Sequence, residues 1–158
     1  RKYFFLLPIA AIFFLLPALS GPLLLDDTIH LGPIIHWLST RSGTYELIFS
    51  NPSGPFGRPV SILSFMVNIL VTGDNVYAMK AVNLSLHLAT GIFLSNLFFR
   101  LFRRDYNLLE YAKYASIGAA SLWLILPQHI ATIFYVIQRM TLLSSLLCVG
   151  TRANRKQQ

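Results

Sequence analysis

Six polar side chains in a largely apolar sequence are candidates for chemistry, and the first two of them are adjacent. Asp26 and Asp27 directly follow an uncharged stretch. Adjacent side chains point in different directions in a helix or a strand, so we expect one carboxylate to face a reaction while the other caps or braces. The pair fits a general base, or ligands for a hard divalent cation such as Mg²⁺ or Mn²⁺. The alternative interpretation is a polar stop at a helix end.

The other four candidates are Arg58, His129, Gln138 and Arg139. The planar guanidinium of Arg58 fits bidentate binding of phosphate, or it anchors the chain at a membrane interface. Arg139, with Gln138 beside it, falls roughly 13 Å into a helix predicted over residues 130–150. A charge at that depth indicates a functional site, with an ion pair or carbonyl contact inside a bundle as the alternative. His129 falls at the turn before that helix.

The composition indicates a membrane protein. Of 158 residues, 54% are hydrophobic and only 12% are charged, about half the charged fraction of an ordinary soluble domain. The net charge of +7 comes from basic residues at the ends of apolar runs, which is typical of membrane faces and speaks against nucleic acid as a partner. A disordered chain, a coiled coil and a disulfide-built module are excluded, since Cys148 is the single cysteine.

The uncharged runs predict an all-α integral membrane protein, with a transmembrane domain over residues 1–150. Four transmembrane helices are expected, at about residues 3–25, 76–100, 111–127 and 130–150. This topology puts every basic cluster on one side, so the N-terminus and a basic tail, residues 151–158, are expected in the cytoplasm. Two alternatives stay open. The first run also resembles a signal peptide, and residues 114–138 could form one kinked helix.

The predicted external loop, residues 26–75, is long and rich in turn signals such as Gly32-Pro33. An apolar segment at residues 60–72 is too short to span a bilayer, so it is predicted as a surface or re-entrant helix. A packed helix of the loop is the alternative. In the second membrane helix, Asn83 and His87 share one face, which favours hydrogen bonds between helices.

The order and spacing of several segments resemble a known family. The matching stretches are Leu25-Asp26-Asp27, Gly57-Arg58-Pro59 with the apolar residues after it, and residues 82–88, 126–129 and 135–141. Together they resemble the N-terminal part of the membrane glycosyltransferases with the GT-C fold. The nearest branch is the one related to protein O-mannosyltransferases, which includes bacterial proteins with tetratricopeptide repeats.

This resemblance implies transfer of a sugar from a polyprenyl-phosphate carrier to a protein or glycan acceptor. The reaction would take place at the outer face of a membrane, which in a bacterium is the periplasmic face of the inner membrane. Asp26 or Asp27 would be the base or a metal-associated residue. Arg58, His129 and Arg139 would be candidates for the carrier phosphate, with Gln138 as a further substrate-binding candidate.

Members of the family have more transmembrane helices and a repeat region, so the chain is expected to be a fragment or a truncated enzyme. Two other functions stay open: a non-catalytic membrane subunit that binds partner helices, and a small protein that translocates lipid carriers. An enzyme should place a carboxylate in an outward cavity near Arg58, His129 or Arg139. A subunit should leave the carboxylates in bulk water.

Overall fold

The computed structural model describes residues 6–24, 26–49, 58–105 and 109–154, and within these ranges the chain is helical and contains no strand. Two short 3₁₀ segments, Leu16–Ser20 and Val136–Gln138, accompany the α-helices. The α-helices are α1 (Leu6–Leu15), α2 (Asp27–Thr40), α3 (Thr44–Phe49), α4 (Pro59–Thr72), α5 (Val76–Asp105), α6 (Leu109–Leu124), α7 (Pro127–Phe134) and α8 (Arg139–Asn154). The predicted all-α class is confirmed.

The four predicted transmembrane helices are not supported. Within the described ranges, α5 is the one helix long and apolar enough to cross a membrane, over the 29 residues Val76–Arg104. A second crossing results only if α6 and α7, which are bent by 57° at their junction, count as one span. The structure therefore carries one candidate span, or two with the bent pair.

The predicted first span, residues 3–25, is interrupted by its prolines. α1 has ten residues, about 15 Å of helix, and then tightens into the 3₁₀ segment that contains Pro17. Proline cannot donate a backbone hydrogen bond, and its ring disfavours the α conformation of the residue before it. The chain then runs without helix from Gly21 to Leu24. Residues 1–5 and 25 lie outside the described part of the chain.

The helix predicted over residues 130–150 is in fact two helices. α6 ends at Leu124 and α7 begins at Pro127, so residues 127–129, predicted as a turn before the helix, form its first turn instead. α7 then ends at Phe134, and α8 begins only at Arg139. Neither proline nor glycine occurs in residues 135–138, so tertiary contacts must stabilise this second break.

The predicted external loop is mostly helical. Gly32-Pro33, read as a turn, lies inside α2. Pro33 and Ile29 are both exposed, so the carbonyl that Pro33 leaves unpaired lies on the open side of the helix. α4 matches the helix predicted at residues 60–72, whereas the turn signals at residues 51–57 lie outside the described residues. α8 also continues to Asn154, through the start of the predicted tail.

α5 is the central helix and packs mainly on α6 and α8. The contact with α6 is close at Gly91, where a Cβ atom would lie only 2.7 Å from Cδ2 of Leu124. A second core lies between α2 and α4, around Leu31, Ile34 and Phe65. The second core also contains Val136, so it packs α2 against the break between α7 and α8.

Candidate functional site

Asp27 is a fully buried brace. Its side chain has no exposed surface, and its carboxylate accepts three backbone hydrogen bonds. Leu24 N–H donates to Oδ2 at 3.1 Å, Val136 N–H to Oδ2 at 3.3 Å, and Ile137 N–H to Oδ1 at 2.9 Å. Two of these donors belong to the 3₁₀ segment between α7 and α8. Asp27 thus ties the start of α2 to a break in the chain more than a hundred residues away.

Asp26 is exposed, although it is the direct neighbour of the buried Asp27. It occupies the N-cap position of α2, where its backbone carbonyl accepts the N–H of His30 at 3.1 Å and its side chain makes no capping bond. Desolvation, and then the negative charges of Asp26 and Asp27, raise the pKa of Tyr135 above its usual value. The Asp27 carboxylate therefore holds the backbone together, whereas the Asp26 carboxylate is accessible and lies near the phenol of Tyr135.

Arg139 is buried without any exposed surface at the first position of α8. Its Nε donates to Asn83 Oδ1 at 2.9 Å, and one Nη2 hydrogen bond reaches Asn68 Oδ1 at 2.8 Å. Backbone carbonyls of Ser64 and Met79 accept two more, at 3.2 and 3.0 Å. The guanidinium also lies 4.0 Å from the centroid of the Phe65 ring.

These contacts give Arg139 a structural role. Burial lowers its pKa to about 9, which still leaves the guanidinium charged at neutral pH. Its hydrogen-bond acceptors belong to α4 and α5, so one side chain holds the start of α8 against both helices. A carrier phosphate could reach it only if these bonds were broken.

Lys80 is a third buried charge at the same place. Its Nζ donates to the carbonyls of Gly21 and Pro22, at 2.6 and 2.8 Å, and so fixes the non-helical link between α1 and α2. Asn83, one turn further along α5, donates its Nδ2 to the carbonyls of Tyr135 and Val136, both at 3.2 Å. Side chains of α5 therefore donate hydrogen bonds to backbone carbonyls of both irregular segments, and buried carbonyls need such partners.

Arg58 lies at the N-cap of α4, in a cleft that neither aspartate lines. Its half-buried side chain lines a cleft of about 550 Å³ between α4 and α8. The hydroxyl groups of Ser61, Thr141 and Ser144 share this cleft with apolar groups that include Leu147. A cation, hydroxyls and an apolar wall therefore share one opening in this cleft.

His129 and Gln138 do not lie together either. The His129 ring packs against Trp123 and His87, with ring centroids 4.4 and 5.5 Å away. Its Nε2 is buried and has no hydrogen-bond partner within the described structure. His87 Nε2 is bonded to the carbonyl of Leu124 at 3.1 Å. Gln138 accepts a hydrogen bond from the hydroxyl of Thr141 at 2.8 Å.

A divalent cation held by both aspartates does not fit this arrangement. Both oxygens of Asp27 already accept backbone N–H groups, so a metal would compete with three donors. Across residues 6–24, 26–49, 58–105 and 109–154, no group of three or more His, Cys, Asp or Glu side chains could hold a metal ion. Of the two aspartates, only Asp26 could offer a carboxylate to a metal. One carboxylate is too few ligands for a protein-bound Mg²⁺ or Mn²⁺ without help from a substrate.

Sequence reasoning missed Lys80, Asn68 and Tyr135. Lys80 was detectable, because it is a charge near the start of a long apolar helix and such charges usually have a role. Asn68 sits in the apolar run of α4, where a buried amide signals a partner across the bundle. Tyr135 carried no signal, since tyrosine is common in apolar runs near membranes.

Comparison with protein-family models, curated proteins and solved structures finds no match to this chain. The resemblance to GT-C glycosyltransferases therefore rests on the quoted segments alone. It stays a prediction.

Proposed function

We propose that the chain is the N-terminal portion of a glycosyltransferase that uses a polyprenyl-phosphate sugar at the outer face of a membrane, with Asp26 as general base. The observation that supports this most is that Asp27 is buried and hydrogen-bonded, whereas its neighbour Asp26 is exposed. Three backbone hydrogen bonds occupy the carboxylate of Asp27, and the backbone of Asp26 is held beside it at the start of α2, with its side chain accessible. A base needs this combination of accessibility and rigid support.

In the proposed reaction the acceptor hydroxyl gives its proton to the Asp26 carboxylate. The acceptor oxygen forms a bond to the anomeric carbon of the sugar, and the bond from that carbon to the carrier phosphate oxygen breaks. The carrier leaves as a lipid phosphate that takes the bonding electron pair. Arg58 is the proposed phosphate ligand, since its cleft offers a cation and hydroxyls beside an apolar wall. Asp27 acts as a positioning residue.

The composition of α4 supports membrane association. Its outward side chains are apolar and well exposed, as at Val67 (60%) and Val71 (78%), while the polar Asn68 faces inward and binds Arg139. A water-soluble helix has the opposite polarity. We propose that α4 lies in the outer interface of the bilayer, with α5 crossing the membrane beside it.

A second candidate function is a non-catalytic membrane subunit. The burial of Arg139 favours it, since this cation is committed to holding helices together. The exposed apolar face of α4 suits a partner helix as well as lipid. The two functions differ in what happens when Asp26 loses its charge.

The test is a transfer assay in membranes that contain the protein in place of its native copy. Radiolabelled polyprenyl-phosphate mannose and polyprenyl-phosphate glucose serve as donors. Asp26→Asn should lower transfer at least a hundredfold without changing the amount of protein in the membrane, because general-base catalysis contributes roughly 10²–10⁴ in rate. Asp74→Asn, at an exposed aspartate in the turn between α4 and α5, is the matched control and should transfer normally. Equal transfer by both variants would exclude Asp26 as the base.

A further inference from the structure

A cleft of about 650 Å³ between α2 and α3 has no role in the reaction above. Apolar side chains of α2, among them Ile29, Pro33 and Trp37, form part of its wall. Polar side chains, among them His36 and Glu46, complete it. We propose that this cleft binds a neutral carbohydrate chain, which serves as the acceptor; its role as acceptor rests on the proposed function, but its binding does not.

The cleft is built around a fixed indole. Trp37 is 8% exposed, and its Nε1 donates to Thr44 Oγ1 at 2.8 Å, a bond that joins α2 to the start of α3. The guanidinium of Arg41 lies 4.7 Å from the centroid of the Trp37 ring. Arg41 reaches this place from the left-handed conformation, with φ at 54°, where α2 ends. A non-glycine residue held in this conformation is characteristic of sites that the surrounding structure over-determines.

The mixed walls match the chemistry of sugars. A sugar ring presents C–H groups on its faces and hydroxyls around its edge, so it needs apolar contact together with donors and acceptors. Trp37 and Pro33 offer apolar contact, the carboxylate of Glu46 accepts hydrogen bonds, and the imidazole of His36 offers both a donor and an acceptor when it is neutral. The described lining residues include the carboxylate of Glu46 and no Lys or Arg, which disfavours an anionic ligand.

A peptide suits the cleft less well. Peptides commonly bind by adding a strand to a sheet edge or by laying an apolar helix face in an apolar groove. Both walls here are helices, so they offer no strand edge. The polar groups in the walls would also be left unpaired against an apolar helix face.

The position of the cleft joins it to Asp26. His30 lines the cleft, and its backbone N–H bonds to the carbonyl of Asp26. One helical turn, about 5.4 Å along α2, separates the two residues. From there the cleft follows α2 to Thr40. A chain lying in it would present a terminal hydroxyl towards the proposed base.

The experiment measures binding in the absence of any sugar donor. The chain carries two tryptophans, so Trp123→Phe leaves Trp37 as the single tryptophan, which can be excited apart from the tyrosines. This protein, in lipid nanodiscs, is titrated with neutral manno-, gluco-, galacto- and chito-trioses, and separately with a Ser/Thr-rich peptide. We expect a saturable change in Trp37 emission with at least one triose. Glu46→Gln should weaken that binding about tenfold, and Glu110→Gln, the same change at an exposed position of α6, should leave it unchanged.

Two results would overturn the proposal. One is a flat titration with all four trioses, or saturation by the peptide alone. The other is equal triose affinity in Glu46→Gln and the parent protein. Asp26→Asn separates this proposal from the transferase reaction, because it should bind the triose normally while it loses transfer. If Asp26→Asn binds the triose and also transfers sugar normally, the proposed binding cleft is supported and Asp26 is excluded as the base.

Discussion

Replacing Asp27 by Asn perturbs one hydrogen-bonding group and leaves side-chain size unchanged. The carboxylate accepts from the N–H groups of Leu24, Val136 and Ile137. An amide keeps one acceptor oxygen and puts an NH₂ group where the other oxygen was. At least one of the three N–H groups then faces another donor in a fully buried place, whichever way the amide is oriented.

The magnitude follows from these contacts. A buried N–H left without a partner costs about 1–3 kcal/mol, and each lost bond to a charged acceptor contributes about 1.5–3 kcal/mol. The substitution also removes the negative charge nearest to Lys80, which stays buried. We expect a loss of about 2–5 kcal/mol, a large part of the 5–15 kcal/mol typical of whole domains. For a chain of this length that lowers the melting temperature by roughly 5–15 °C.

Thermal unfolding in detergent, followed by circular dichroism, measures this loss. Asp26→Asn is the control, because it makes the same change at the adjacent exposed position and should shift the melting temperature by less than about 2 °C. Equal stability of the two variants would refute the bracing role of Asp27.

Three further changes test other contacts. Arg139→Lys should lose about 2–4 kcal/mol of stability, because an ammonium cannot reproduce bonds from three nitrogens of a planar guanidinium. Gly91→Ala should lose about 1–3 kcal/mol, since the new Cβ would lie 2.7 Å from Leu124, whereas Gly32→Ala, with nothing within 4 Å, should be neutral or stabilising. Val67→Asp should lower the fraction of the protein that reconstitutes into phospholipid vesicles, because it puts a charge on the exposed apolar face of α4.

Each of these has its own control. Arg152→Lys makes the same change at an exposed arginine near the end of α8 and should leave stability unchanged. Leu124→Ala combined with Gly91→Ala should recover part of the loss, since the colliding side chain is gone. Asp introduced at Ser39, an exposed polar position of α2 outside the candidate span, should reconstitute like the parent protein. Unchanged stability in Arg139→Lys, or no recovery in the double variant, would contradict the packing described.

Local signals account for much of the fold. Charge-free runs predict where α4 and α5 begin to within a residue, because this signal is local. The helix expected from residue 130 begins at Pro127 instead. The break before α8 has no local signal. Asp27 and Asn83 stabilise it from 109 and 53 residues away, and no pattern near residue 135 reveals these partners. The predicted number of four transmembrane helices is not supported for a related reason. Apolar composition does not distinguish a helix that crosses a membrane from short helices that pack together.

The candidate site was also predictable only in part. Adjacent side chains must diverge, so a split between Asp26 and Asp27 was predictable, but which of them is buried depends on the distant 3₁₀ segment. Arg139 was correctly singled out as an unusual buried charge, yet the amides that hold it were invisible without the fold. Lys80 could have been found by the same reasoning, had the apolar run been extended to include it.

The side of the membrane on which Asp26 lies decides whether it can act as the proposed base. The single cysteine is first removed by Cys148→Ser, and Asp26→Cys is then treated with a membrane-impermeant maleimide in intact spheroplasts. Arg104→Cys, near the C-terminal end of α5, is treated in the same way for comparison. We predict that the cysteine at position 26 is labelled at once and the one at position 104 only after permeabilisation. Labelling in the reverse order would put the carboxylate in the cytoplasm and contradict a reaction at the outer face.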